Sequence, residues 1–208
     1  MIVDPVTLLA FVPAGIALNL TPGADMMFCL AQGLKGGARP AIFASAGISA
    51  GGMINVVLAG LGIGALVAAH PGLFEAIRWV GVAYLVVLAV RAVRAPVGVG
   101  EVAPVSPRRA FRDAMIVSVT NPKVILFILA FLPQFVDPAR GSVLLQFVVL
   151  GGAFSLTGFV VNACVGLMSG GIGRALVRSP AFGRGLGLAS AAVFCLLALK
   201  LAIESRPT

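Results

Sequence analysis

Two side chains of opposite charge lie deep inside apolar stretches of this sequence, where a charge is costly. Lys123 lies about 12 residues from either end of the stretch 110–135, which is roughly 18 Å of helix. A cation at that depth costs at least about 2.5–3.5 kcal/mol on membrane-insertion scales. Asp25 is the only acidic residue deep in such a stretch, 6–34. The lysine therefore indicates a bound carboxylate, while Asp25 could pair with Lys123, hold an ammonium group or carry a proton.

Each of the two stretches also contains a proline that follows a good N-cap residue. Proline in a helix interior removes a hydrogen bond and usually breaks or kinks the helix. Thr21-Pro22 and Asn121-Pro122 are both typical of a new helix start. Each stretch is therefore predicted to form two half-helices whose break lies near the bilayer centre. Two opened helix N-termini and an ammonium group would suit a carboxylate.

Four amide side chains, those of Asn19, Asn55, Gln134 and Asn162, also lie in or near the predicted spans. Amides bind freed backbone carbonyls or a substrate, and hydrogen bonding between helices is their commoner role. The full set of candidate substrate-binding residues is Asn19, Thr21, Pro22, Gly23, Asp25, Asn55, Asn121, Pro122, Lys123, Gln134 and Asn162. No residue is a candidate for catalysis, for binding a metal or for binding a cofactor, so we expect that the protein is not an enzyme.

The composition is that of a polytopic membrane protein. Hydrophobic residues make up 60% and charged residues 11% of the 208 residues, with a mean hydropathy of +1.09. The length allows about six or seven spans of roughly 20 residues. The net charge of +8 is interpreted as loop arginines that set topology, not as a nucleic-acid surface. No signal-peptide pattern begins the chain, so we expect Met1 to begin the mature protein.

Six transmembrane helices are predicted within a single all-α membrane domain, residues 1–208. The halves resemble each other, since Thr21-Pro22 aligns with Asn121-Pro122. Three spans per half make the second repeat inverted, as in many transporters that bind substrate at the midplane. Repeat one covers about 5–94, a linker about 95–109 and repeat two about 110–205. The predicted spans are 6–34, 40–69, 74–93, 110–135, 142–170 and 185–203.

The cationic residues predict the orientation of these spans. Cytoplasmic loops are enriched in Lys and Arg. Ten of the cations fall in the first, third and fifth loops, and four fall on the opposite side. Both termini are therefore expected outside the cytoplasm. The ten are Lys35, Arg39, Arg91, Arg94, Arg108, Arg109, Arg112, Arg174, Arg178 and Arg184, and the four are Arg78, Arg140, Lys200 and Arg206.

Several short motifs follow one another along the chain. They are Thr21-Pro22-Gly23-Ala24-Asp25, Gln32-Gly33 before a basic loop, Ala83-Tyr84-Leu85, and Asn121-Pro122-Lys123 leading into Phe131-Leu132-Pro133-Gln134-Phe135. In this order they resemble the LysE/RhtB family of bacterial amino-acid exporters, from about Leu8 to Ile203. That family often has a second proline and then Asn where this chain has Ala24 and Asp25.

The resemblance implies an inner-membrane exporter of amino acids driven by the proton gradient or the membrane potential. A carboxylate site beside Lys123 agrees with it, and Asp25 would suit the substrate ammonium. We expect a small neutral zwitterionic amino acid, exported by alternating access, and a basic amino acid stays open. The alternative of another class is an aquaporin-like channel, which a lysine after Asn-Pro argues against. The expected partners are the amino acid, protons and membrane lipid, without nucleic acid; a homodimer is left open.

Overall fold

The regular structure is helical throughout the residues that the computed structural model describes, which are 2–69, 71–94, 105–168 and 179–203. Most of the predicted linker, residues 95–104, lies outside them. The helices are α1 (Pro5–Leu20), α2 (Ala24–Gly36), α3 (Ala38–Ala69), α4 (Pro71–Arg94), α5 (Pro107–Val119), α6 (Pro122–Leu126), a π-helical segment (Phe127–Phe131), two 3₁₀ turns (Leu132–Phe135 and Pro138–Arg140), α7 (Val143–Leu167) and α8 (Pro180–Ile203).

Two of these helices contain segments long and apolar enough to cross a membrane, Ala38–Gly62 in α3 and Val143–Leu167 in α7. Two bent pairs, α1 with α2 and α5 with Pro122–Phe135, also qualify if each pair is one span. Shorter apolar stretches lie in α4 and α8, at Trp79–Arg91 and Gly187–Leu199. The all-helical class is thus confirmed for the described residues, as is the presence of helices that could span a membrane.

The first predicted break is present, but the second half-helix begins later than Thr21-Pro22 suggested. α1 and α2 meet at an angle of 55°. Thr21 ends α1 instead of capping α2: its N–H donates to the Leu18 carbonyl and its hydroxyl donates to the Ala17 carbonyl. Gly23 is the N-cap, and α2 begins at Ala24. The threonine satisfies carbonyls at the end of the helix behind it, so the predicted N-cap was wrong.

The second break follows the prediction closely. α5 and the segment Pro122–Phe135 meet at 50°. Asn121 is the N-cap of α6, and its side-chain oxygen accepts a hydrogen bond from the Lys123 N–H at 3.0 Å. Pro122 occupies the first helical position, where the absence of an N–H has no cost.

Small residues let α3 approach α5 closely. A Cβ atom added at Gly51 would lie 2.6 Å from the carbonyl oxygen of Met115, and one at Gly47 would collide with the carbonyl of Phe111. Glycine at these positions, four residues apart, therefore lets the two backbones touch. Because both contacts advance together along the chain, α3 and α5 run in the same direction.

α3 runs antiparallel to α7. Gly60, late in α3, lies against Leu144 at the beginning of α7, and Gly166, late in α7, lies against Ala41. The beginning of α7 is also joined to the beginning of α1, because Arg140 pairs with Asp4 at 3.1 Å. The bundle thus has two chemically distinct ends. The end at which α3 and α5 begin has the cations Lys35, Arg39, Arg108, Arg109 and Arg112.

An aromatic cluster fills the bundle between the breaks and the Asp4–Arg140 end. Phe127 stacks on Phe131 with ring centroids 5.0 Å apart and lies 5.0 Å from Phe154. Phe11 of α1 contacts both Phe127 and Phe135, at 6.1 and 5.3 Å. Three of the five rings come from the π-helical segment and the turn after it, and π-helical turns are frequent at functional sites.

Candidate functional site

The two breaks meet inside the bundle, and Lys123 joins them. Its ammonium Nζ donates a hydrogen bond of 2.7 Å to the backbone carbonyl of Thr21. That contact spans 102 residues of sequence. The aliphatic stem of the same lysine lies beside Gly23, where an added Cβ atom would be 3.4 Å from both Cδ and Nζ. Thr21 is buried at 3% exposure, so the ammonium occupies the interior of the bundle.

Asp25 contacts the second break through Asn121. The Asn121 amide Nδ2 donates to the Asp25 carboxylate Oδ1 at 2.8 Å. The oxygen of the same amide caps α6 by accepting from the Lys123 N–H. Asp25 therefore has Asn121 as its direct partner, and it attracts Lys123 from a greater distance. The break thus holds an anion and a cation side by side, with one amide between them.

Asn19 and Asn55 form hydrogen bonds between helices. Asn55 Nδ2 donates to the carbonyls of Ser118 and Val119 at 3.3 and 3.4 Å. Pro122 deprives the Ser118 carbonyl of its α-helical donor. That carbonyl accepts instead from the Asn121 N–H at 3.1 Å, and Asn55 adds a second donor from α3. Asn19 Nδ2 donates to the Phe154 carbonyl at 3.1 Å and to the Thr157 hydroxyl at 3.0 Å on α7.

Asn162 lies on the face of α7 that packs against the first break. It is one turn from Gly158, which meets the side chain of Asn19, and one turn from Gly166, which meets the Cys29 carbonyl of α2. Asn162 is buried at 4% exposure, and its Oδ1 has no hydrogen-bond partner among the described residues. An unpartnered acceptor in the bundle interior is costly, so this atom is available to a ligand donor.

Sequence reasoning missed three further buried polar groups. The Gln32 Oε1, Ser118 Oγ and Ser155 Oγ atoms are buried and unpartnered within the described part of the chain. Gln32 lies seven residues after Asp25, on the same face of α2. Ser155 lies one hundred residues after Asn55, which is the offset between the two prolines. These spacings were the signals that could have identified both residues.

Gln134 lies apart from the other candidates. It is 11 residues beyond Lys123, roughly 16 Å along a helix, and it lines a cavity at the Asp4–Arg140 end of the bundle. Its amide Nε2 makes a long hydrogen bond of 3.4 Å to the Ala130 carbonyl.

The structure therefore brings Thr21, Pro22, Gly23, Asp25, Asn121, Pro122 and Lys123 together at the breaks, with Asn19, Asn55 and Asn162 on the surrounding helices.

This arrangement can bind a small molecule with both charges. An ammonium group has three donors, and Lys123 uses one of them on the Thr21 carbonyl. The Asp25 carboxylate has acceptor sites beyond the one that Asn121 occupies. A ligand that carries a carboxylate and an ammonium on the same carbon atom matches this pair.

Comparison with known proteins identifies the class of the chain. Residues 16–205 match the family model of the LysE type translocator. The homoserine/homoserine lactone efflux protein of Salmonella typhimurium is 31% identical over 196 residues, covering 93% of this chain and 94% of that protein. An uncharacterized membrane protein of Vibrio cholerae is 35% identical over 175 residues, covering 83% and 84%. The leucine efflux protein of Salmonella choleraesuis is 30% identical over 153 residues, covering 72% of each.

The chain therefore belongs to the LysE family of translocators. No solved structure gives a significant match. The resemblance inferred from the Thr-Pro-Gly and Asn-Pro-Lys motifs is confirmed, and with it the assignment to a family of membrane transport proteins whose named relatives include amino-acid efflux proteins.

Proposed function

We propose that this protein exports a small neutral amino acid from the cytoplasm and is not an enzyme. The observation that supports this most strongly is the partly buried Lys123 ammonium at the meeting point of the two breaks, 2.7 Å from the Thr21 carbonyl. Relatives are named as efflux proteins for homoserine and for leucine, which favours a zwitterionic substrate with a neutral side chain.

The substrate carboxylate binds the free donors of the Lys123 ammonium in this proposal. It also faces the first N–H groups of α2, which begins at the same break and favours negative charge at its N-terminus. The substrate ammonium binds Asp25, which has Asn121 as a fixed partner. Pro122 and Gly23 act through the backbone, because one starts α6 and the other leaves room for the lysine stem. Asn162 offers its unpartnered oxygen as a further acceptor.

The two halves form inverted repeats in this proposal. Both begin with a span bent at a proline, by 55° in the first and 50° in the second. α3 packs on α5 of the other half, while α7 packs on α1 and α2, and α4 packs on α8. That exchange of contacts is what a twofold relation between residues 5–94 and 110–205 requires. Alternating access then follows from movement of one half against the other around the fixed breaks.

The last part of the proposal is the orientation of the protein in the membrane. The basic end of the bundle, with Lys35, Arg39 and Arg109, faces the cytoplasm, since cytoplasmic ends are enriched in such residues. Both termini then face outward from the inner membrane of a bacterium. Export against a concentration gradient takes its energy from inward proton movement or from the membrane potential, and Asp25 is the residue that would carry the proton.

Release from proteoliposomes tests the proposal. The vesicles are loaded with leucine, homoserine, threonine, lysine or arginine, and a pH gradient is imposed. The wild type should release a small subset of these, and Lys123→Ala should lower that release at least about tenfold because a charge-assisted hydrogen bond is lost. Lys35→Ala removes an exposed lysine in the last turn of α2 and should release at the wild-type rate. Wild-type vesicles that retain every amino acid, or equal release by Lys123→Ala, would overturn the proposal.

A further inference from the structure

A second cavity lies at the end of the bundle opposite the basic residues. It has a volume of about 360 Å³, which is the size of a site for one small ligand. Part of its wall is apolar, formed by Ile2, Val3, Val6, Ala10, Phe135 and Val136. The rest of the wall is polar, formed by Asp4, Thr7, Gln134, Asp137, Arg140 and Gln146.

The polar wall has both charges in a fixed arrangement. The Arg140 guanidinium donates to Asp4 Oδ2 at 3.1 Å through Nη1 and to Asp137 Oδ2 at 3.3 Å through Nε. Gln146 is buried at 1% exposure and holds the backbone of Asp137 from both sides. Its Oε1 accepts from the Asp137 N–H at 2.9 Å, and its Nε2 donates to the Asp137 carbonyl at 2.7 Å. The Asp137 carboxylate is therefore positioned by a buried clamp.

A charged ligand can replace these ion pairs at little cost in free energy. The Arg140 side chain is 46% exposed, and those of Asp4 and Asp137 are 32% and 52% exposed. Ion pairs with that exposure contribute little to stability. A guanidinium binds a carboxylate with two parallel hydrogen bonds, and either aspartate can accept from an ammonium. A zwitterionic ligand can thus replace the Asp4–Arg140 pair with no net change of charge in the cavity.

The position of the cavity links it to the breaks. α1 leads from Thr21 back to Asp4 over 17 residues, about 25 Å of helix. The segment Pro122–Phe135 leads from Lys123 to the same cavity. Both elements therefore run from the breaks to this cavity, and the buried aromatic cluster around Phe127 lies between.

We propose that this cavity is a second amino-acid site, which holds the exported molecule after it leaves the breaks. Arg140 binds the carboxylate, Asp4 and Asp137 bind the ammonium, and the apolar wall takes a neutral side chain. The inference rests on the proposed function, because the ligand is the amino acid that the central site exports. Nothing in the sequence motifs assigns this role, since Asp4 and Arg140 lie outside them and 136 residues apart.

Equilibrium dialysis in detergent tests the second site. The ligand is the radiolabelled neutral amino acid that wild-type proteoliposomes release fastest from the panel above. Lys123→Ala, which lacks the central cation, should still bind about one molecule per chain. Adding Arg140→Gln to it should weaken that binding about tenfold or more. Arg112→Gln removes a more exposed arginine that also pairs with an aspartate, Asp113, and it should leave the binding unchanged.

Two more variants keep the test decisive if Arg140→Gln fails to fold. Arg140→Lys retains the charge but loses the paired hydrogen bonds, so it should recover part of the binding. Asp4→Asn retains the cap on the Val6 N–H but removes the charge, so it should weaken binding. The inference is overturned if Lys123→Ala binds no amino acid, if Arg140 and Asp4 variants bind as it does, or if only basic amino acids are released. Failure of the wild type to release anything is a different result, which overturns the proposed function itself.

Discussion

Replacing Asn121 by Ala should destabilise the protein more than loss of any other single amide, because this one side chain acts on both sides of the break. It caps α6 through the Lys123 N–H at 3.0 Å, and loss of an N-cap costs about 1 kcal/mol. It also donates to Asp25 at 2.8 Å, and a hydrogen bond to a charged group is worth about 1.5–3 kcal/mol. We expect Asn121→Ala to lower the free energy of unfolding by about 2–4 kcal/mol.

A buried cysteine of this chain can report the unfolding of these variants. Cys29 is fully buried, whereas Cys164 and Cys195 are exposed. In a background with Cys164→Ala and Cys195→Ala, the reaction of Cys29 with a thiol dye reports unfolding as dodecyl sulfate is titrated into mixed micelles. Gln134→Ala is the matched control, because its amide makes only one long hydrogen bond of 3.4 Å. We expect it to cost less than about 1 kcal/mol.

Exchanging the amide and the carboxylate separates the stability contributed by the hydrogen bond to Asp25 from that contributed by the N-cap. Asn121→Asp retains the cap but sets two carboxylates against each other, and it should be at least as unstable as Asn121→Ala at neutral pH. Adding Asp25→Asn restores the pair in reverse, because the amide donor is now at position 25 and the carboxylate acceptor is at position 121. The double variant should recover most of the lost free energy. Equal stability of Asn121→Ala and the Gln134→Ala control, or no recovery in the double variant, would refute the reasoning.

Three other predictions follow from particular contacts. Gly47→Ala places a Cβ atom against the Phe111 carbonyl and should cost about 1–3 kcal/mol in the same titration, whereas Gly152→Ala, with open space around it, should change stability little; equal stability of the two would contradict the packing. Asn55→Leu removes the amide that donates to the Ser118 and Val119 carbonyls and should cost about 0.5–1.5 kcal/mol, a loss that an unchanged unfolding midpoint would exclude. A C-terminal alkaline phosphatase fusion should be active, because both termini are proposed to face outward; an inactive fusion, with an active cytoplasmic reporter at the same position, would reverse the topology.

The breaks could be predicted from sequence because proline acts locally. Pro22 and Pro122 each lack a backbone N–H, so each removes one helical hydrogen bond whatever surrounds it. Both spans are bent where these prolines occur. The exact start of α2 could not be predicted, because Thr21 can cap either the helix behind it or the helix ahead. Its hydroxyl bonds the Ala17 carbonyl, a choice that the sequence leaves open.

The long-range contacts of the site depend on tertiary packing and were beyond sequence reasoning. Lys123 was identified as functional from its depth, yet its partner, the Thr21 carbonyl, is a backbone atom 102 residues away. Asn121 was assigned to the cap, but its second bond to Asp25 requires the two breaks to meet. Gln134 was grouped with them by its polarity alone, and the fold carries it to the opposite cavity. Residue type thus predicts which groups need partners, and the fold decides which partners they receive.

The central claim is that the meeting point of the breaks recognises the carboxylate of an amino acid. The most direct measurement is competition in wild-type proteoliposomes between the labelled amino acid that is released fastest and two unlabelled compounds, the same amino acid and its α-amide. The amide keeps the ammonium and the side chain but has no carboxylate for Lys123. The account predicts that the amino acid competes and that the amide competes at least about tenfold more weakly. Equal competition by the amide would contradict the claim.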